Sequence, residues 1–468
     1  MMRSFSAFQR YPLSLIIFLL VSGGFLLSGF SLAAAAEESK HVFTLKESVN
    51  IALERSPKIL SAVNTLEGAK WKKSEVSKDF LPKFEVTYSW TRLDKDPQTT
   101  SLNITPLPTP PYWNFGSTTR QVGSKDNWQL KLTMNQPIFT GFALTSAYEL
   151  TKLGVDIAEI SLARARLDLI LEVKTAYFSI LRAQKANEVA IQAVKQRQAH
   201  LNVARNFYEV GMIPKNQVLE AEVLLAVAIQ DKIKTENAVL LSKASFNTIL
   251  RRPLEEPLEI EDILTYKPFP YSLEYCLNRA FEKRPEIKAV EKQIKVGEQD
   301  IRLAKADYYP SIALQANHYW KGDTWEVNGS DFMGDPTSWD VTAVLSWNIW
   351  SWGQTRNQVQ FKHTELAKTR NTLIQLKDGI ALEVKNSYLL LKEAEKNISV
   401  TRKAIDQAEE NYRMSRERYR EQVATSTEVT DAETLLTTAR RNYYEALYRY
   451  NLAWAELERA MGLGRDEI

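Results

Sequence analysis

The sequence predicts a mixed α and β chain in which two sets of very long helices carry four short, two-faced strands. Three observations predict it. The chain contains an internal duplication, its apolar period changes from helical to two after Pro82 and Pro310, and two proline-free stretches each run for about 70 residues.

The chain opens with a targeting pattern. Arg3 and Arg10 precede an apolar run from Leu13 to Leu32, and Ala33 to Ala36 supply small residues before Glu37. That order is the signature of a secretory signal peptide over residues 1–36. The run is also about long enough to span a bilayer, but Gly23, Gly24 and Gly29 weaken a permanent helix. No Cys stands near the junction to take a lipid.

Removing those residues leaves 58 basic against 57 acidic side chains. A balance this even gives no electrostatic case for nucleic acid. Cys276 is alone, and His41, His200, His318 and His363 show no metal-ligand spacing. Phosphate loops, nucleophile elbows and zinc motifs are missing too. No catalytic, cofactor or metal site is expected.

The first repeat covers 37–252 and the second 272–468, with a linker at 253–271 rich in proline (Pro253, Pro257, Pro268, Pro270). Thr44-Leu45, Ser56-Pro57 and Leu81-Pro82 recur 228 residues later as Ser272-Leu273, Arg284-Pro285 and Tyr309-Pro310. From about residue 172 the offset is 211, carrying Glu172-Val173-Lys174 onto Glu383-Val384-Lys385, Tyr208 onto Tyr419 and Leu224-Leu225 onto Leu435-Leu436. One structural unit has been built twice.

Each repeat reads as two helices, two strands around a loop, and a long helical hairpin. Thr44–Arg55 and Pro57–Phe80 begin on residues suited to helix entry. Strands follow in segments of about 83–139 and 311–350. Phe84, Val86, Tyr88 and Trp90 alternate with Glu85, Thr87, Ser89 and Thr91, and Trp128, Leu130, Leu132 and Met134 with Gln129, Lys131, Thr133 and Asn135. Ile312, Leu314 and Ala316 alternate with Gln315 and Asn317, and Trp339, Val341, Ala343, Leu345 and Trp347 with Asp340, Thr342, Ser346 and Asn348. Such strands have one dry face and one wet face.

A soluble sandwich would also alternate, but two features favour lipid. Nine of the eleven tryptophans lie in or beside these strands, as an interfacial girdle requires. The strands also come as isolated hairpins, with no second sheet to cover them. Four strands cannot close a barrel, and an open edge in hydrocarbon costs several kcal/mol for each unpaired backbone group. The chain is therefore expected to self-associate; three copies give twelve strands, and two or four also satisfy the argument. The segments 93–125 and 321–338 are expected to be exterior loops.

The helical hairpins span about 141–250 and 353–461. At 1.5 Å per residue the first helix of each reaches about 105 Å. Val429, Ala432, Leu436, Ala439, Tyr443, Ala446, Tyr450, Ala453, Leu457 and Ala460 alternate spacings of three and four, which makes a coiled-coil seam.

This order of elements, done twice behind a signal peptide, resembles the TolC-like outer-membrane efflux protein family over nearly all of the mature chain. Phe207-Tyr208-Glu209-Val210-Gly211 and Arg418-Tyr419-Arg420-Glu421-Gln422, each followed by Val-X-X-Ala, resemble family motifs. The resemblance implies a trimer: a 12-stranded β-barrel in the outer membrane continuous with a periplasmic α-helical coiled-coil barrel. It implies docking with a periplasmic adaptor (membrane fusion) protein and an inner-membrane transporter, as the exit duct of a tripartite efflux or secretion system. By the same resemblance, Val210, Gly211, Met212, Gln422, Val423 and Ala424 are adaptor-contact tips, with Gln422 standing where a Gly is usual. The family's acidic constriction falls on Glu428 and Asp431, with Gln217 and Glu220 at the matching places. Read from spacing alone, Glu428 and Asp431 share one helix face and suit either a ring of acids that tunes cation passage or ordinary solvated charge. The alternative reading of the whole chain is a periplasmic adaptor-type coiled-coil interaction protein, which has no use for four Trp-rich strands.

Overall fold

A computed structural model describes residues 41–464. The expected signal peptide, 1–36, lies outside the described residues. The chain begins with a short strand β1 (Val42–Phe43), then helices α1 (Leu45–Arg55) and α2 (Pro57–Lys78). Thr44 caps α1 by accepting from the Glu47 amide, and Pro57 opens α2. The second repeat reproduces this in α5 (Leu273–Lys283), capped by Ser272, and α6 (Pro285–Lys305), opened by Pro285. A Ser or Thr oxygen satisfies an otherwise orphaned amide, and proline loses nothing at a position whose N–H has no helical partner.

The main sheet is antiparallel, in the order β2 (Lys83–Arg92), β5 (Asp126–Thr140), β7 (Ser311–Gly322), β8 (Thr337–Ser346). Its register places Val86 beside Leu132, Leu132 beside His318, and Ala316 beside Val341. One face therefore carries Phe84, Val86, Trp90, Leu130, Leu132, Leu314, Trp339 and Leu345. The other carries Glu85, Lys131, Thr133, Asn317 and Asp340, with Thr133 and Asp340 bonded through Asn317 (3.1 and 2.9 Å). His318 interrupts the apolar face, set edge-on to Trp320, as do Gln136 and Thr337. The apolar face is bare: Phe84 is 68% exposed and Trp339 72%.

Segment 93–125, expected as a loop, instead holds a second hairpin, β3 (Gln98–Pro106) and β4 (Trp113–Gln121), in full antiparallel register. Its prolines stand at the strand end and the turn, where no ladder donor is needed, so they permit pairing. The linker is not featureless either: β6 (Glu259–Ile260) pairs in parallel with β1.

Helices α3 (Ala143–Glu209) and α7 (Gln354–Arg420) have 67 residues each, about 100 Å of rod. Their partners α4 (Lys215–Leu250) and α8 (Ser426–Met461) have 36 residues each. The shorter helices cover only the half of each rod distant from the sheet. Towards the sheet, α2 packs on α3, and α6 bridges α3 and α7, with Lys292 paired to Asp156 at 2.6 Å. The largest core lies midway, where α1, α5 and the β1–β6 pair wrap the rods around Tyr177, Phe246, Leu391, Tyr450 and Leu457. The Tyr177 hydroxyl donates to the Glu261 carbonyl (2.8 Å), and the Tyr450 hydroxyl to that of Lys267 (2.5 Å). Each aliphatic or aromatic side chain fully buried here contributes about 1.5–3 kcal/mol. Of the ten seam positions on α8, only Tyr443 escapes full burial.

Candidate functional site

Both long rods end away from the sheet in tight turns. In the first, Gly211 takes a left-handed conformation (φ +77°), and its amide donates to the Tyr208 carbonyl at 2.9 Å while Met212 N–H donates to Phe207 at 2.8 Å. The second has the same closure, Gln422 to Tyr419 at 3.0 Å and Val423 to Arg418 at 2.8 Å, with Gln422 itself left-handed (φ +62°). These bonds satisfy the carbonyls left over at a helix end. The turn thus survives the absence of glycine, at a cost of about 1–2 kcal/mol for a side chain in that region.

The structure brings the two turns together. The Gln422 side-chain amide lies 2.7 Å from the Met212 sulfur. Val210, Met212 and Val423 are exposed, and Ala424 is half-buried. An apolar cap made of residues from both hairpins thus faces outward at one end of the molecule.

The helix starts after the turns differ. Thr425 and Glu428 form a capping box, each side chain accepting from the other's amide at 3.3 Å. Glu428 also pairs with Arg418 at 3.6 Å. Asp431 follows, exposed on the next turn. At the first tip Pro214 occupies the cap position and offers no side-chain bond, leaving Gln217 half-buried and Glu220 exposed. The four residues assigned to a constriction are therefore unequal: one caps a helix, two are free in solvent, one is partly packed.

Just inside the tips lies a polar cluster that sequence reasoning missed. His200 on α3 meets Ser426 on α8 (Nε2 to Oγ, 2.9 Å) and stacks obliquely on Tyr419, which also touches Phe207. Burial lowers the His200 pKa, and Arg197 adds to that effect. Arg197 Nε stands 3.1 Å from Glu433 Oε1, and its Nη2 donates to Thr434 at 3.1 Å. Glu433 is 1% exposed. One signal was present: Glu433 lies four residues after Val429 and three before Leu436, a charge at an apolar seam spacing.

Among the described residues, no three His, Cys, Asp or Glu side chains are grouped to hold a metal. No helix among them is long and apolar enough to cross a membrane.

The profile of a family described as outer membrane efflux protein matches residues 49–250 and 276–463, one stretch in each half of the chain. The chain is 22% identical over 432 residues to outer membrane protein TolC of Vibrio cholerae, covering 89% of this chain and 90% of that one. It is 20% identical over 327 residues to nodulation protein T of Rhizobium leguminosarum bv. trifolii, covering 68% of each. Among solved structures, a crystal structure of CusC aligns with a TM-score of 0.74 at 15% identity, covering 90% of this chain and 92% of that chain. With both halves matched and the fold shared almost end to end, the chain belongs to the outer membrane efflux protein family.

Proposed function

We propose that the chain is one protomer of a homotrimeric exit duct: a twelve-stranded barrel in the outer membrane above a helical barrel that reaches into the periplasm. The observation that carries this reading is the open sheet. Strands β2 and β8 each end it with an unpaired edge ten residues long, beside a bare apolar face. Each edge leaves about ten unpaired backbone groups, and in lipid the total would cost tens of kcal/mol. Joining β8 of one copy to β2 of the next removes that cost in a closed ring.

The helices support the same closure. Inside a protomer, α3 packs on α8. Because the repeats are equivalent, α7 of one copy has the matching place for α4 of its neighbour. Helix α4 leaves Leu219, Val223, Val227, Leu240 and Leu241 exposed in the single chain, apolar surface that an assembly could cover.

The duct is passive and catalyses no reaction. An inner-membrane transporter supplies the energy, and a periplasmic adaptor meets the tips at Val210, Gly211, Met212, Gln422, Val423 and Ala424. Its preference for the dilated tip shifts the population towards opening. Glu428 and Asp431 then form an acidic constriction, with Gln217 and Glu220 beside it. Outer-membrane fractionation and a trimer that resists heat in detergent are the expected results. A protein that stays monomeric and soluble without detergent would overturn the reading. For the constriction, Glu428→Gln with Asp431→Asn keeps the capping box and should lower cation preference several-fold in planar bilayers. Unaltered selectivity would remove both residues from the pore.

A further inference from the structure

Glu433 is a carboxylate buried by this chain alone, wedged where α8 meets α3 and α7. Its cation partner, Arg197, is close but not aligned for a hydrogen bond, and neither carboxylate oxygen has another donor. Tyr412 on α7 also feels its charge, Arg416 lies 5.8 Å from the Tyr412 ring, and Arg197 in turn acts on His200 of α3. A buried ion pair so thinly supported is a poor stabiliser, because desolvation outweighs the attraction unless the remaining lone pairs are satisfied. The equivalent carboxylate of the first repeat, Glu222, is only half-covered and is bonded to Arg205 of its own hairpin at 2.7 Å. Glu433 instead ties one hairpin to the other, close inside the turns that must part for the duct to widen.

We propose that Glu433, with Arg197, is a proton-operated lock between the two helical hairpins, closed in acid and released as pH rises. It rests on the duct reading and concerns positioning residues distinct from the tip carboxylates. Burial raises the Glu433 pKa from 4.5 to about 7 in the packed arrangement, even against the pull of Arg197. When α3 and α8 separate, water reaches the carboxylate and its affinity for a proton falls to the ordinary level. The packed form thus holds a proton over a range in which the parted form has lost it. Linkage makes acid favour the packed form, and the ratio of parted to packed rises up to about tenfold per pH unit for each protomer. It levels off above about 7.

The test is the open-level occupancy of purified trimers in planar bilayers, followed against pH in the wild type and again with Glu428→Gln and Asp431→Asn. Occupancy should rise with pH and level off near 7. Glu433→Gln should erase that rise, and His200→Gln should leave it. Arg197→Gln removes the cation and should move the level-off upward by about one unit or more, while Arg197→Lys should hold it near the wild-type position. A rise that survives Glu433→Gln, or one that vanishes with His200→Gln, overturns the lock. Should Glu433→Gln fail to assemble, Arg197→Gln decides: an unmoved level-off is fatal. A trimer that conducts with no pH dependence sinks the lock alone, whereas one that conducts at no pH sinks the duct.

Discussion

The two helical hairpins share one backbone and live in opposite surroundings. Tyr419, Glu433 and Leu436 on the second are buried, while their equivalents Tyr208, Glu222 and Leu225 are exposed or half-covered. The difference arises because α3 packs closely on α8, whereas among the described residues α7 makes no comparable packing on α4. Duplication has copied the rods, and position within the protomer decides which surface of each is finished at home and which waits for a neighbour.

Substitutions at paired positions would break or sharpen this contrast. The largest effect is expected at the buried seam: Leu436→Ala should destabilise the protomer by about 2–5 kcal/mol, read from the unfolding midpoint in detergent. Leu225→Ala should cost the protomer well under half of that, and show itself as a lower dissociation temperature of the trimer. Equal losses in the isolated protomer would mean that the hairpins are not differently packed. Next comes the capping box that only the second tip possesses. Thr425→Ala should cost about 1 kcal/mol and raise amide exchange at 426–429. Amides of the first tip, where Pro214 makes no such bond, should not respond.

The smallest effect separates the turns themselves. Gln422→Gly removes left-handed strain and should slow exchange in the second turn, a gain of about 1 kcal/mol or less after the entropy of glycine is counted. Gly211→Gln should cost a similar amount at the first, since φ there is +77°. If Gln422→Gly loosened the tip instead, the Gln422 contact with Met212 would be worth more than the strain.

Much of the fold was legible because its signals are local. Helix entry at Thr44 and Ser272 needs only a capping oxygen beside an apolar period, and the faces of β2, β5, β7 and β8 follow from alternation alone. The hairpin β3–β4 was missed for an equally local reason. Pro97, Pro106, Pro110 and Pro111 crowd the segment, and its pairing is a polar ladder such as Thr100 to Thr119, so apolar alternation is confined to Leu102, Ile104, Trp113 and Phe115. Of the site, the turns were legible as motifs. The unlike duties of Glu428 and Asp431 were not, since they depend on Thr425 and Arg418.

The sequence by itself determined the period, the faces and the twofold repetition, because each depends on neighbours within a few residues. Only the tertiary structure decided that Gln422 accepts a left-handed turn, and that Glu433 is buried beside Arg197 while Glu222 stays half-open to solvent. Burial depends on which distant helix comes to lie alongside, and two copies of one pattern carry no mark of which copy will be covered.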